Sequence, residues 1–532
     1  MSYTSLRFMV FVAVCFALYY VFPRKRRWWV LLAASMGFYA IVCLKYIPFI
    51  IMTSLSTYAG GLLLQEYIDI SGLCIKSNKS IWSREEKAQF KTKTERVRKI
   101  ITTSILILNF GILGFLKYYN FFARSISAVL NPLGGDIPQL DLFLPLGISF
   151  YTFQSMGYII DIYRQKYVAE KNYAKILLFT SFFPQIVQGP ISFYSQLAGQ
   201  LYMGHTLVFE NIKQGVLLVT WGFFKKLVIA DRLAHTVSMI PPAFSEYSGT
   251  VILLTALFYA VQLYADFSGG IDISRGVAQL FGIDLAENFK RPYFSRTLSE
   301  YWHRWHITLG AWLREYLFYP IAMSKLFQRF GKKLKQHFGM KVSKVLPTSV
   351  ASLITFIVVG VWHGAYWKYV AFGVWNGMVI MVSTLMAERF VRWKNVLHIK
   401  DTNKLFIAFQ MFRTFLIVLA GYYFDIAPHF HGAVEMMYRS VTDFHISELV
   451  SPELFGVIAV SKAQLIVVGV ASLLVLLVSI LQECSERSLR ERICNKNFVI
   501  QSAVFVVLFW LTAIFGVYGP GTDVVEFVYM QF

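Results

Sequence analysis

Residues 463–481 read Ala-Gln-Leu-Ile-Val-Val-Gly-Val-Ala-Ser-Leu-Leu-Val-Leu-Leu-Val-Ser-Ile-Leu, nineteen positions without a formal charge. At a helical rise of about 1.5 Å per residue the run covers ~28 Å, close to the hydrocarbon thickness of a bilayer. Lipid offers no partner to backbone N–H and C=O groups, so a lone run of this kind is stable there only as a helix. Outward from it, apolar runs that span or nearly span recur at 6–22, 28–45, 47–64, 100–117, 142–160, 212–232, 249–265, 349–362, 369–386, 405–424 and 499–518. The pattern predicts an all-α, polytopic membrane protein with about 11–12 transmembrane helices.

Composition supports the same class. Of 532 residues, 56% are apolar and only 15% charged, and the mean hydropathy is +0.53. Soluble cores stop growing near 250–300 residues, so a water-soluble fold has nowhere to hide this much apolar surface. Lipid is the expected solvent. No internal repeat or low-complexity linker interrupts the pattern, so one membrane-embedded domain over residues 1–532 is the economical count.

A formal charge of +21 raises the question of a nucleic-acid partner. The basic residues answer it by their position, since they fall in short gaps between apolar runs. Arg24-Lys25-Arg26-Arg27 fills one gap; 76–99 holds nine Lys/Arg against three Glu; 325–344 holds seven Lys/Arg and no acid. Further clusters lie at 389–404 and 487–496. Such gaps mark cytoplasmic loops, whereas a nucleic-acid groove requires one continuous basic face; no nucleic-acid partner is expected. With every basic gap inside, both the N- and the C-terminus are predicted outside a multi-pass protein. The first run, 6–22, lacks a small-residue cleavage pattern and reads as an anchor.

One segment breaks the parity. If 173–190 crossed, the basic stretch 325–344 would lie outside. Pro184, Gly189 and Pro190 break its helix, so it is predicted to be re-entrant and buried within protein. The five cysteines (Cys15, Cys43, Cys74, Cys484 and Cys494) share no metal-type spacing, and no metal site is expected.

The stretch 264–320 is too polar to span but rich in aromatic residues. It carries Trp302, Trp305 and Trp312 among Arg291, Arg296, Arg304, Glu300 and Glu315, a composition suited to an interface or a funnel wall. Glu300 and Arg304, four apart, are placed to pair on one helix face. The three tryptophans read more readily as interfacial anchors than as substrate platforms. Asp266 and Ser268, beside Gly269 and Gly270, could line a passage or merely sit at a tight helix contact.

Two histidines stand out. His363 ends the apolar run 351–361 and is followed by Gly364; counted from about residue 349 it lies about 14 residues, or ~21 Å, along a helix. An ionisable side chain at membrane depth is expensive and suggests function, although a hydrogen bond to a neighbouring helix would also account for it. A neutral imidazole in a dry site can take the proton from a hydroxyl that attacks a thioester. His306 lies in Tyr301-Trp302-His303-Arg304-Trp305-His306. No Gly-x-Ser-x-Gly elbow, Walker A loop or dinucleotide fingerprint is present.

These residues resemble the membrane-bound O-acyltransferase (MBOAT) family, and most closely its alginate O-acetyltransferase, AlgI-like branch. The resemblance rests on Tyr264-Ala-Asp266-Phe-Ser268-Gly269-Gly270, Glu287-Asn288-Phe289-Lys290-Arg291-Pro292, and Ser299-Glu300-Tyr301-Trp302-His303-Arg304-Trp305-His306. Val361-Trp362-His363-Gly364-Ala365, the earlier Leu144-Pro145-Leu146-Gly147 and 184–190, and the terminal stretch 527–532 follow the family's order. It implies helices around a central tunnel, core motifs over about 140–380, His363 as catalytic base and His306 as a second catalytic residue. Asp266, Ser268, Asn288, Arg291, Trp302, Trp305 and Trp362 become candidates for the substrate and donor tunnel. Asn288 and Arg291 could meet donor phosphates, with lipid headgroups the alternative for the arginine.

The resemblance further implies no bound cofactor, an acyl donor that is acetyl-CoA or an acylated carrier protein, and a bacterial cytoplasmic membrane. It also implies membrane lipid and an extracytoplasmic SGNH-type acetyltransferase as partners, the latter docking near the outer segment 425–462. The function implied is acetyl transfer to hydroxyls of an extracellular polysaccharide or cell-wall polymer. The alternatives are D-alanyl transfer to teichoic acid, a transporter or flippase using His363 and Asp266 as a proton relay, or a scaffold without chemistry. In one place the chain departs from the branch: Tyr422-Tyr423-Phe424-Asp425-Ile426-Ala427 puts an acid where an arginine is usual.

Overall fold

The computed structural model describes residues 3–133, 135–485, 487–518 and 526–527. Among them the regular structure is helical, apart from one isolated antiparallel bridge between Phe289 and Trp305. Eight helices are long and apolar enough to cross a membrane: Leu44–Ser77, Arg84–Leu130, Gly249–Leu280, Val342–His363, Trp367–Leu385, Lys404–Ile426, Lys462–Glu483 and Phe498–Phe515. Each coincides with a run predicted from the sequence, although Trp367–Leu385 and Phe498–Phe515 stop short of the predicted ends at 386 and 518.

The other four predicted runs form shorter helices. Leu6–Val21, Arg27–Cys43 and Ile148–Tyr163 have 16, 17 and 16 residues. The last starts late because Gly147 caps it in a left-handed conformation (φ +70°). The run 212–232 lies in the helix Phe209–Phe223, which continues as a π-helical turn, Phe224–Ala230, and then as Asp231–Met239.

Two compact units divide the chain, Met1–Asn211 with Val277–Leu285, and Ile212–Gly276 with Ala286–Phe532. In the first, the segment predicted to be re-entrant forms the helix Tyr173–Ser181, which stops before the short turn Phe183–Ile186. Residues 176–192 are buried. Groups freed by the break find partners inside the protein: Tyr3 donates to the carbonyls of Phe183 and Pro184 (2.9 and 2.8 Å), and Ser35 accepts from the Phe183 N–H (3.1 Å). A Cβ on Gly147 would strike the carbonyl of Ile186, so the two motifs at 144–150 and 184–190 meet backbone to backbone.

The second unit carries every candidate site residue. Phe209–Phe223 and Gly249–Leu280 approach through glycines seven apart on each helix. A Cβ on Gly222 would lie 2.6 Å from the Gly269 carbonyl, and one on Gly276 would lie 2.7 Å from that of Gly215. Small residues let apolar helices close on each other where lipid supplies no hydrophobic driving force. Gly360, Gly373 and Gly377 do the same for Val342–His363 and Trp367–Leu385.

Candidate active site

His363 is the last residue of its helix, and Gly364 after it is extended. The helix runs back to Val342 as a candidate span of 22 residues, ~33 Å at helical rise. This is longer than the count from residue 349, and it puts the imidazole at the end far from the basic stretch 325–344. The chain turns at once into Trp367–Leu385, and the contact of Gly360 with the Tyr369 backbone fixes the turn. The His363 side chain is buried (6% exposed), packed against Phe372 (5.1 Å between ring centres) and Trp362 (5.3 Å). It faces a cavity of ≈ 10 Å³ shared with Tyr301, Trp302, Trp305, Asn376, Tyr422 and Asp425, room for about one water.

His306 is 2% exposed and stands between the short helices Leu298–Arg304 and Ile307–Leu313 with φ +46°. A non-glycine residue in the left-handed region costs about 1–2 kcal/mol, and such residues gather at functional sites. Asn288 holds it there. Its Oδ1 accepts from the Thr308 N–H (3.0 Å) and from the Thr308 hydroxyl (2.9 Å), and faces His306 Nδ1 at 3.2 Å. An atom that accepts from a backbone N–H is the amide oxygen. Nδ1 must therefore carry the hydrogen, which assigns His306 as the Nδ1–H tautomer and leaves the lone pair on Nε2. Burial, and after it the neighbouring His363, push the imidazole down to about 3, so it is neutral at physiological pH. The Trp362 ring lies next to both histidines, 5.8 Å from His306.

A second, larger cavity of ≈ 1020 Å³ opens on the other side of Asn288. Its wall carries Lys290, Arg487, Arg490 and Arg275, the last ion-paired with Glu287 (3.6 Å), together with Asp272, Glu483 and apolar residues of Lys462–Glu483 and Phe498–Phe515. Phe289 lines this cavity and Trp305 the small one, and their rings touch edge to face at 4.9 Å. Two aromatic rings thus separate the two spaces. Main-chain bonds from Lys290 N to Arg304 O (2.9 Å) and Ile307 N to Asn288 O (3.0 Å) clasp the strands that carry them.

The predicted residues divide between these places. Trp302, Trp305 and His363 line the small cavity; Asn288, Ser268 and Arg291 line the large one. Arg291 is ion-paired with Glu483, and Arg304 binds both Glu483 (2.9 Å) and the predicted partner Glu300 (2.9 Å). Asp266 lies on neither cavity wall; it pairs with Lys226 at 2.6 Å. Trp305 and Trp312 are buried, and Trp302 donates to Asn376 (3.0 Å). Trp305 and Trp312 thus pack inside protein, because the stretch around them folds inward, while Trp302 is half-buried.

Sequence reasoning missed Lys225 and Lys226, both buried. Lys225 donates to Ser268 (2.8 Å) and pairs with Asp272 (2.8 Å); Lys226 pairs with Asp231 (2.7 Å) as well as Asp266. The signal was present: two adjacent lysines inside the apolar run 212–232. The ring of Phe527 covers the Lys226 ammonium at 4.6 Å; the rest of the terminal stretch, 528–532, lies outside the described residues. Tyr422 was also missed, and its hydroxyl joins those of Tyr301 (2.8 Å) and Tyr293 (3.1 Å). Among the described residues, no three His, Cys, Asp or Glu side chains converge as metal ligands.

Known sequences complete the description. Residues 169–424 match the membrane-bound O-acyltransferase family. The chain is 30% identical over 455 residues to the probable alginate O-acetylase AlgI of Pseudomonas putida, covering 84% of this chain and 82% of that protein. It is 28% identical over 411 residues to the peptidoglycan O-acetyltransferase of Helicobacter pylori (71% and 69%). To the teichoic acid D-alanyltransferase of Streptococcus thermophilus it is 27% identical over 267 residues (49% and 60%).

Proposed function

The chain belongs to the membrane-bound O-acyltransferase family and is a membrane O-acyltransferase, and from that premise we propose that it carries acetyl groups from a cytoplasmic thioester to hydroxyls of an extracellular polysaccharide or cell-wall polymer. His363 is the general base. The acceptor oxygen attacks the thioester carbonyl carbon while His363 takes the hydroxyl proton. The C–S bond breaks, the acetyl group stays on oxygen, and the proton passes on to the leaving thiolate. The observation that carries this reading is the pair of cavities: a small one at His363 and a large one with Lys290, Arg487 and Arg490 on its wall, with the touching rings of Phe289 and Trp305 between them.

The donor, acetyl-CoA or an acylated carrier protein, would place its phosphates among Lys290, Arg487 and Arg490, since guanidinium and ammonium groups suit phosphate oxygens. Arg291 and Arg304, bound to Glu483, shape the rim instead. His306, kept neutral by burial and fixed as the Nδ1–H tautomer by Asn288, is a second catalytic residue whose Nε2 accepts a hydrogen bond. Acetyl is favoured over D-alanyl because the similarity to the two O-acetyl-transferring relatives covers far more of the chain. With the basic stretches inside a bacterial cytoplasmic membrane, both termini and 425–462 lie outside, where an SGNH-type transferase would collect the acetyl group.

The test is turnover of radiolabelled acetyl-CoA by purified wild type and His363→Ala at matched folding. Loss of about 10²-fold or more in the variant is expected. Equal turnover in both would remove His363 from the chemistry.

A further inference from the structure

Asp425 is the penultimate residue of the helix Lys404–Ile426, and its side chain reaches the small cavity beside His363. The position is costly for a carboxyl group on three counts. It is buried, at 8% exposure. It stands at the helix end where the backbone dipole is negative, which disfavours an acid. Its Oδ1 has no hydrogen-bond partner within the protein, although buried polar atoms are almost always satisfied. The nearby Lys368 does not supply that bond: its ammonium donates to the main-chain carbonyls of Asp425 and Ala427 (2.9 and 2.7 Å) and so caps the helix. Fold stability gives no return for this arrangement, and a ligand hydroxyl would.

Resting on the reading of His363 as the base, we propose that Asp425 is the specificity-determining residue for the acceptor: its Oδ1 accepts a hydrogen bond from the incoming group and selects neutral hydroxylated acceptors over those bearing a carboxylate. The cavity is lined by the imidazole, the carboxyl group and Tyr422 and Tyr301, whose hydroxyls bond to each other. A hydroxyl oriented by Oδ1 lies in the same small space as His363. An acceptor carboxylate there meets a second carboxyl group, and two such groups cannot both be ionised in one buried site without a large penalty.

The cavity is small, so small probes test the idea without any partner protein. Purified full-length chain receives radiolabelled acetyl-CoA with either glycerol or its carboxylate counterpart glycerate. Wild type is expected to acetylate glycerol at least about tenfold faster, the order of one hydrogen bond to a charged group. Asp425→Asn, nearly isosteric, should slow the glycerol reaction and bring the two rates within about threefold, because the amide can donate to a carboxylate. Asp425→Glu, which keeps the acid, should keep the preference. An unchanged ratio in Asp425→Asn would overturn this inference while leaving the acetyltransferase reading intact. A wild type that acetylates neither probe, from acetyl-CoA or from an acetylated carrier protein, would overturn both.

Discussion

Asn288→Ala removes one oxygen that serves three donors in a site 1% exposed. The Thr308 hydroxyl can rotate to another acceptor. The Thr308 N–H and the His306 Nδ1–H cannot, and each buried donor left without a partner costs about 1–3 kcal/mol. The sum is ~2–6 kcal/mol. With its Nδ1–H bond lost, His306 is less firmly held in its left-handed conformation, and the about 1–2 kcal/mol of backbone strain there favours a shift of the imidazole. Two effects are expected in one sample: a lower unfolding temperature by scanning fluorimetry in detergent, and a fall of about 10²-fold in acetyl turnover, the usual effect of a ~1 Å misplacement at a reacting centre. Asn288→Asp is the informative contrast. It keeps all three acceptor contacts and so retains more stability, but its charge raises the His306 pKa from about 3. His306 then becomes protonated as pH falls, and activity declines toward acid in this variant more steeply than in wild type. An Ala variant with the unfolding temperature and turnover of wild type would refute the account of Asn288.

Two further perturbations probe the frame around the site. Lys226→Met strands Asp231 and Asp266, both ion-paired to it within 2.7 Å, and breaking a buried pair from one side costs about 3–5 kcal/mol. Folded yield should collapse and partly recover in Lys226→Met/Asp266→Asn; a single variant that matches wild type in yield and unfolding temperature would contradict the pairing. Gly222→Ala places a Cβ 2.6 Å from the Gly269 carbonyl and 2.7 Å from Ile273, so the two helices must part, at about 1–3 kcal/mol. Gly37→Ala, where no atom lies within 4 Å, is the control and should be neutral or slightly stabilising in the same fluorimetric assay.

How far the sequence could be read follows from the physics each feature depends on. Long apolar runs such as 463–481 and 405–424 report their own surroundings, because a spanning helix is a local solution to a solvent without hydrogen bonds. The Glu300–Arg304 pair was legible for the same reason, since i,i+4 contacts are set by helix geometry alone. Lys225 and Lys226 were hidden because averaging over a hydrophobic window dilutes two charges, and two of their partners, Asp266 and Asp272, lie 40 or more residues away. The tryptophans misled because an aromatic-rich polar stretch has the same composition whether it faces headgroups or folds inward. Asp266 was singled out as a possible tunnel residue. Its contact is with a lysine that only the glycine-mediated crossing of two helices brings within reach.

The same crossing bears on how the thioester reaches His363. Lys225, anchored by Ser268 and Asp272, lies on the wall of the large cavity, and so does Phe289. Phe289 and Trp305 are held edge to face by a bridge and two flanking main-chain hydrogen bonds. Phe267, one residue from the Asp266–Lys226 pair, packs on Phe289 (4.9 Å) and on His306 (4.9 Å) from behind. Opening the septum as a unit would break backbone bonds in a dry interior and disturb a buried ion-pair network, so it is the expensive route. Rotation of a ring that is only packed, not hydrogen-bonded, is cheap by comparison. Under the proposed function the donor therefore passes as a thin arm beside Phe289 while the clasp stays shut. That arrangement keeps bulk water away from the thioester and leaves the small cavity at His363 to the acceptor.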